Sequence, residues 1–286
     1  MRPRTLPLVI TALLVAGFAV SLSAAPAPSP YGTTCGPVVY KADGTRWQCT
    51  FDDEFSSDQL DPSKWAAQTN LATGDPSVAA ACFEDTPASV SVSGGSLHLS
   101  VARQAAPLTC SGLTAPTYYT AGQVTTYRLF SQVYGRFEAR VRTSATVAPG
   151  LHEAFWLWPD DGLTSLHWPA TGEIDVAETY SHAPHDAVPY LHYTANDNSG
   201  PVYGLNTKYC AAERGVWNTY DLVWTPTTIT ISINGQTCLV NTSGDPAFKR
   251  RYILALSGTL GFGSDALSAG TPIPATTDVD YVRVWQ

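Results

Sequence analysis

Residues 173–178 read Glu173-Ile174-Asp175-Val176-Ala177-Glu178, three carboxylates within six positions. Alternate side chains of a strand share a face. Glu173 and Asp175 then face one way, and Ile174 and Val176 the other. Strict alternation would turn Glu178 toward the apolar side. A one-residue β-bulge near Ala177 returns it to the acidic side. Like charges this close repel, so structure alone gives little reason to gather them. Attack at a glycosidic bond does want such a group, with one carboxyl ionised and one protonated. Clustered carboxylates also bind calcium or face solvent, and spacing alone leaves that reading open. Trp156 and Trp158, on one face of Ala154-Phe155-Trp156-Leu157-Trp158, weigh against it, because sugar faces stack on indole rings.

In a bulged strand Glu173 and Glu178 lie about 13 Å apart at Cα. Side chains leaning inward across a curved sheet bring their carboxyls to about 5 Å, the spacing of retaining glycosidases; inverting enzymes need roughly 6.5–9.5 Å. Glu173 is then the nucleophile. Glu178 is the acid that protonates the leaving oxygen and the base that activates water. Asp175, between them, is expected to hydrogen-bond a neighbouring Glu and hold the pair in opposite protonation states. Glu178 is expected to have a raised pKa.

Many short strands must position this group. Leu97, Leu99 and Val101 alternate with polar residues, as do Phe137, Ala139 and Val141 with the charged Arg136, Glu138, Arg140 and Arg142. Ile229, Ile231 and Ile233 alternate without error into Asn234-Gly235, a hairpin turn signal. No amphipathic helix is evident among the 21 Pro and 22 Gly. The pattern predicts an all-β sandwich of two antiparallel sheets, curved so that a concave face forms a substrate cleft. The charged face of strand 136–142 is expected to line that cleft.

Arg2 and Arg4 precede an apolar run, Leu6 to Val20, followed by small residues and Pro. Residues 1–27 therefore read as a secretion signal, the apolar run being short for a bilayer span, with an uncleaved anchor as the minor alternative. Residues 28–49 read as a lead-in and 50–286 as one catalytic domain. The protein is expected to be secreted, monomeric and not stably membrane-bound. Without Arg2 and Arg4 the charge is 14 − 24 = −10; no basic stripe exists, which argues against a nucleic-acid partner. The six cysteines, all downstream of the signal, are expected to form disulfides. Proximity in sequence pairs Cys35 with Cys49, Cys82 with Cys110, and Cys210 with Cys238. Trp65, Trp217, Trp224 and Trp285 are read as core or edge packing. Asn241-Thr242-Ser243 is a glycosylation sequon.

Trp168-Pro169-Ala170-Thr171-Gly172-Glu173-Ile174-Asp175-Val176-Ala177-Glu178 resembles the active-site signature of glycoside hydrolase family 16. Two residues between Asp175 and Glu178 mark its laminarinase branch. Further blocks follow in the family's order: Phe51 to Phe55 with Asp61 to Trp65, Tyr134 to Val141, Ala154 to Trp156, Trp217 to Tyr220, and Val279 to Trp285. The resemblance implies a concanavalin-like β-jelly roll and retaining endo-hydrolysis of a β-glucan. It implies Glu173 as nucleophile, Asp175 as its assistant and Glu178 as acid/base. Glu138, Arg140, Trp156, Trp168 and His192 would contact the polysaccharide. No cofactor is needed for the chemistry, though a structural calcium ion at Asp280 and the Gly95 backbone is implied. Ala177 and Glu153 depart from the family pattern, where Met and Pro are common, and leave the preferred glycan open. A β-1,3-glucan is the first expectation. Another β-glycan (mixed-linkage glucan or a galactan) or transglycosylation by the same mechanism is the second. A non-catalytic glycan-binding module is the third, and the retained carboxylates argue against it.

Overall fold

The computed structural model describes residues 34–160, 167–193 and 202–286. The expected signal and the start of the lead-in lie outside these. Two sheets face each other, as expected. One carries the strands Asp186–His192, Glu173–Tyr180, Leu151–Pro159, Tyr252–Leu260 and Thr117–Thr125 in that spatial order. The other runs Gln236–Asn241, Ile229–Ile233, Asn218–Trp224, Gly135–Arg142 and Ala275–Trp285, the last also paired with Cys49–Asp53 and Ser96–Leu108. Ser96–Leu108 and Thr117–Thr125 pair with each other and join the sheets. These strands pair antiparallel, while Ala79–Phe83 lies parallel to Thr117–Thr125.

The period-two residues fill the space between the sheets. Phe137, Ala139 and Ile231 of one sheet are fully buried with Phe155, Leu157, Ile174 and Val176 of the other. Burying such a face is the main stabilising term of a sandwich. Trp65 and Trp224 are buried, and each satisfies its indole N–H, on Asp53 Oδ2 at 2.9 Å and on the Phe248 carbonyl at 3.1 Å. Asn234 and Gly235 both take positive φ in the hairpin turn that the sequence signals. The three disulfides join Cys35 to Cys49, Cys82 to Cys110 and Cys210 to Cys238. Among the described residues no helix is long and apolar enough to cross a membrane.

Two polar side chains lie inside the fold. Asn241 is 2% exposed, and its side-chain amide donates to Tyr193 Oη at 3.1 Å and to the Leu205 carbonyl at 3.0 Å. The sequon nitrogen is thus inside the fold. Glu153 is neither surface-exposed nor in the cleft. Odd-numbered residues of Leu151–Pro159 point between the sheets, so Glu153 is buried there. Arg214 meets it with two bonds of 2.7 and 2.6 Å, and Thr179 Oγ donates to it at 2.8 Å.

Candidate active site

The acidic strand is bulged where the alternation requires it. Its pairing with Leu151–Pro159 shifts register between Asp175 and Ala177, and its pairing with Asp186–His192 shifts between Asp175 and Glu178. Val176 and Ala177 are both buried in consequence, and Glu178 returns to the side of Glu173. Ala177, with Phe155 and Leu256, lines a cavity of ≈ 10 Å³. That is about the space of one water, so the core under the bulge is slightly open, as the small residue implies.

Gly172 takes φ +85°, and a Cβ there would collide with Tyr252 Oη. That hydroxyl is anchored on the Thr171 and Ala247 carbonyls at 3.1 and 2.9 Å. Glycine is therefore needed to let the chain enter the acidic strand.

A cleft of ≈ 250 Å³ lies over this face, and Glu173, Asp175, Glu178, Trp156, His152 and His192 line it. Cross-strand pairing sets them together: Glu173 is opposite His192, and Asp175 lies between Tyr190 and Trp156. Trp168 Nε1 donates to Glu173 Oε2 at 2.7 Å. Trp156 Nε1 donates to Ser257 Oγ at 2.9 Å, which donates to Gln123 Oε1 at 3.0 Å, so its ring is held across the floor. Asp175 Oδ2 lies 3.3 Å from His192 Nε2.

Burial, with the neighbouring Asp175 charge, pushes the Glu173 carboxyl up to about 9. Glu178 goes the other way. Burial alone would raise it, but the hydrogen bond and charge of His152, with a bond from Tyr180, hold it below the usual carboxylate range. His152 Nε2 is 3.0 Å and Tyr180 Oη 2.8 Å from Glu178 Oε1. The expectation of a raised Glu178 is thus corrected: in the ligand-free cleft it is Glu173 that holds a proton. His152 and Tyr180 were not singled out from the sequence. Both share a face with a recognised site residue, His152 with Trp156 on one strand and Tyr180 with Glu178 on the other.

Glu138 and Arg140 are not in the cleft. Their strand belongs to the opposite sheet, where Phe137, Ala139 and Val141 face inward, so the charged residues face out behind the molecule. Glu138 accepts from Arg136 at 2.6 Å and from Tyr281 Oη at 2.9 Å. Arg140 donates to Asp280 at 2.6 Å and lies over the Trp217 ring. The carboxylate expected to hold calcium is therefore already neutralised by a guanidinium. With the Gly95 carbonyl it falls well short of the six to eight oxygens such an ion takes, and this pair does not fit the site. Among the described residues, Glu173, Asp175 and His192 form the one group spaced for a metal, with ligand atoms within 4.8 Å of one another.

The sequence profile described as "Glycosyl hydrolases family 16" matches residues 81–260. The chain is 26% identical over 266 residues to "Glucan endo-1,3-beta-glucosidase A1" of Niallia circulans, covering 84% of this chain and 37% of that protein. It is 24% identical to "Glucan endo-1,3-beta-glucosidase" of Cryptopygus antarcticus, covering 84% and 92% of the two chains. The first curated relatives it matches are longer, and it spans 33–37% of their length. Its fold matches the laminarinase structure from Rhodothermus marinus with TM-score 0.70 and 24% identity, over 84% of this chain and 97% of that one. A profile match across most of the chain, around a bulged acidic strand in a cleft, shows that this protein belongs to glycoside hydrolase family 16.

Proposed function

We propose that the protein is a secreted, retaining endo-hydrolase of β-1,3-glucans. The observation that carries the chemistry is the placement of Glu173 and Glu178 on one cleft, across the bulge, in unlike environments. Relatives named as endo-1,3-β-glucosidases support the choice of polymer. Three disulfides support an oxidising, extracellular destination.

Glu173 attacks the anomeric carbon while Glu178 delivers a proton to the departing oxygen. A covalent glycosyl ester forms on Glu173. Glu178, now a base, takes a proton from water, which displaces the ester with a second inversion. In the free cleft the pair holds its proton on Glu173, so productive binding has to move it to Glu178. Trp168 and His192 flank Glu173 and stabilise its anion as the proton leaves. Trp156 offers its ring to the sugar face.

The test is incubation of the mature protein with laminarin, lichenan and agarose in parallel. Short β-1,3-linked oligosaccharides, released from laminarin with retained anomeric configuration, are expected. Cleavage of another polymer alone would overturn the substrate. Products of inverted configuration would overturn the mechanism.

A further inference from the structure

Beneath the acid/base, the core holds a charged chain that apolar packing does not call for. Glu153, Thr179 and Arg214 are all buried. Arg214 Nη1 and Nη2 donate to the two carboxylate oxygens of Glu153, and Thr179 Oγ donates to Glu153 Oε2. Arg214 Nε donates to the Ser144 and Thr146 carbonyls, just past the strand Gly135–Arg142 of the opposite sheet. Both charges are thus well bonded. A buried ion pair of this kind seldom adds stability over apolar residues of the same volume, and its best-attested use is to fix register.

Register is what the acidic strand has most at stake. Before the bulge, Asp175 pairs with Trp156. Beyond it, Ala177 pairs with Phe155, Glu178 with Ala154 and Thr179 with Glu153. Without the extra residue the first register would continue, and Glu178 would stand opposite Glu153. Directly opposed residues share a face of the sheet, and like charges there are destabilising. Glu178 would then point between the sheets, against a second carboxylate. In the observed register its place is taken by Thr179, which donates to Glu153 instead. A slip of one residue therefore exchanges a hydrogen bond for two opposed acids. Apolar packing discriminates less well, because Ala177 is small and shares the ≈ 10 Å³ cavity under the bulge with Glu153 and Thr179.

We propose that Glu153, Thr179 and Arg214 are positioning residues for the reaction, a buried pin that locks the bulge in the register that turns Glu178 into the cleft. The inference rests on the reading of Glu178 as the acid. The pin acts through the backbone. Thr179 follows Glu178 in the chain, and Glu153 precedes Ala154, the partner of Glu178 across the strand pair. Apolar residues in these places would fill the volume and keep the strand, but would leave the register to packing alone. The carboxyl of Glu178 would then lose its fixed reach to the departing oxygen.

The experiment separates placement of the acid from stability. Laminarin departs through a sugar oxygen that needs a proton; the dinitrophenyl glycoside of β-1,3-glucobiose departs as a phenolate that needs none. On both substrates kcat/KM covers the steps up to the glycosyl ester. The ratio of the two values, laminarin over aryl glycoside, therefore reports the acid and does not depend on how much enzyme is folded. It is measured, with urea unfolding, for the wild type, Thr179→Val, Thr179→Ser and Glu153→Leu combined with Arg214→Met. Thr179→Val and the double variant are expected to lower the ratio about tenfold or more, the double variant while unfolding close to the wild type's urea concentration. Thr179→Ser, which keeps the donor, should match the wild type. A wild-type ratio in Thr179→Val would overturn the pin, and that variant decides the matter should the double variant fail to fold. A wild type that cleaves neither substrate would bring down the hydrolase reading itself, and with it the acid to be placed.

Discussion

The imidazole of His152 lies 3.0 Å from the carboxylate of Glu178 and flat against the ring of Tyr180, centroids 4.7 Å apart at an interplanar angle of 4°. The acid/base is thus gripped by two side chains through one oxygen. Removing the imidazole has a definite sign. Burial would then govern Glu178 and raise its pKa. In the free enzyme Glu178 is the carboxyl that titrates lower and Glu173 the higher, so His152→Phe, which keeps a flat ring on Tyr180, should carry the acid limb of kcat/KM to higher pH. Tyr180, His192, Glu153 and Asp265 remain charged or polar neighbours of the pair in both enzymes. A limb that stays in place would show that His152 does not tune the acid.

Glu173 should cost the fold stability as pH rises. Its carboxyl titrates near 9 in the native state and near 4.5 in the unfolded chain. Between those values the unfolded chain binds fewer protons, so unfolding becomes easier with increasing pH. Glu173→Gln removes the ionisable group. Its melting temperature should exceed the wild type's by a margin that grows from pH 5 to pH 8, while hydrolysis is lost. A margin independent of pH would contradict the buried, protonated state.

The pair of Glu153 and Arg214 is the buried charge most exposed to mutation. Arg214 also donates to the Ser144 and Thr146 carbonyls at 3.1 and 3.0 Å. Arg214→Ala strands a buried carboxylate and two carbonyl acceptors, a change of the kind that costs about 3–5 kcal/mol. Glu153→Leu combined with Arg214→Met should recover much of that. Urea unfolding of the three proteins measures it, and a loss below about 1 kcal/mol for Arg214→Ala would refute the burial.

Trp168 bonds Glu173 through a single N–H, and its half-exposed ring tilts against His192 with centroids 5.3 Å apart. Trp168→Phe keeps a stacking surface and removes the donor. A hydrogen bond to a charged group is worth about 1.5–3 kcal/mol, so kcat should fall about tenfold or more with little change in melting temperature. If KM alone changes, the ring binds sugar and the N–H does not serve the nucleophile.

Most of the fold could be read from the sequence because its signals are local. Period-two patterns such as Ile229, Ile231 and Ile233 name the buried face of each strand, and Asn234-Gly235 names a turn. The bulge at Ala177 was legible because three acids and two aliphatics cannot otherwise be sorted to two faces. Alternation does not say which sheet owns a strand. That is why the charged face of strand 136–142, with Glu138 and Arg140, was assigned to the cleft and lies behind the molecule. Nor does a lone histidine announce its partner across a strand pair. His152 stands opposite Tyr180 and so diagonal to Glu178, in a register that shifts near Ala177, and no local pattern encodes that shift's exact place. The direction of the Glu178 shift followed from the same omission.

The buried amide of Asn241 bears on how this protein can be made. In a eukaryotic secretory pathway, oligosaccharide is attached to the nascent chain before it folds. A glycan on Asn241 would occupy the position of Tyr193 and the 205 carbonyl, and the strand Gln236–Asn241 could not close. Yeast or mammalian expression would then yield a modified fraction that never reaches the native state. Ser243→Ala removes the acceptor signal and leaves Asn241 in place, at the cost of one hydrogen bond to its side chain.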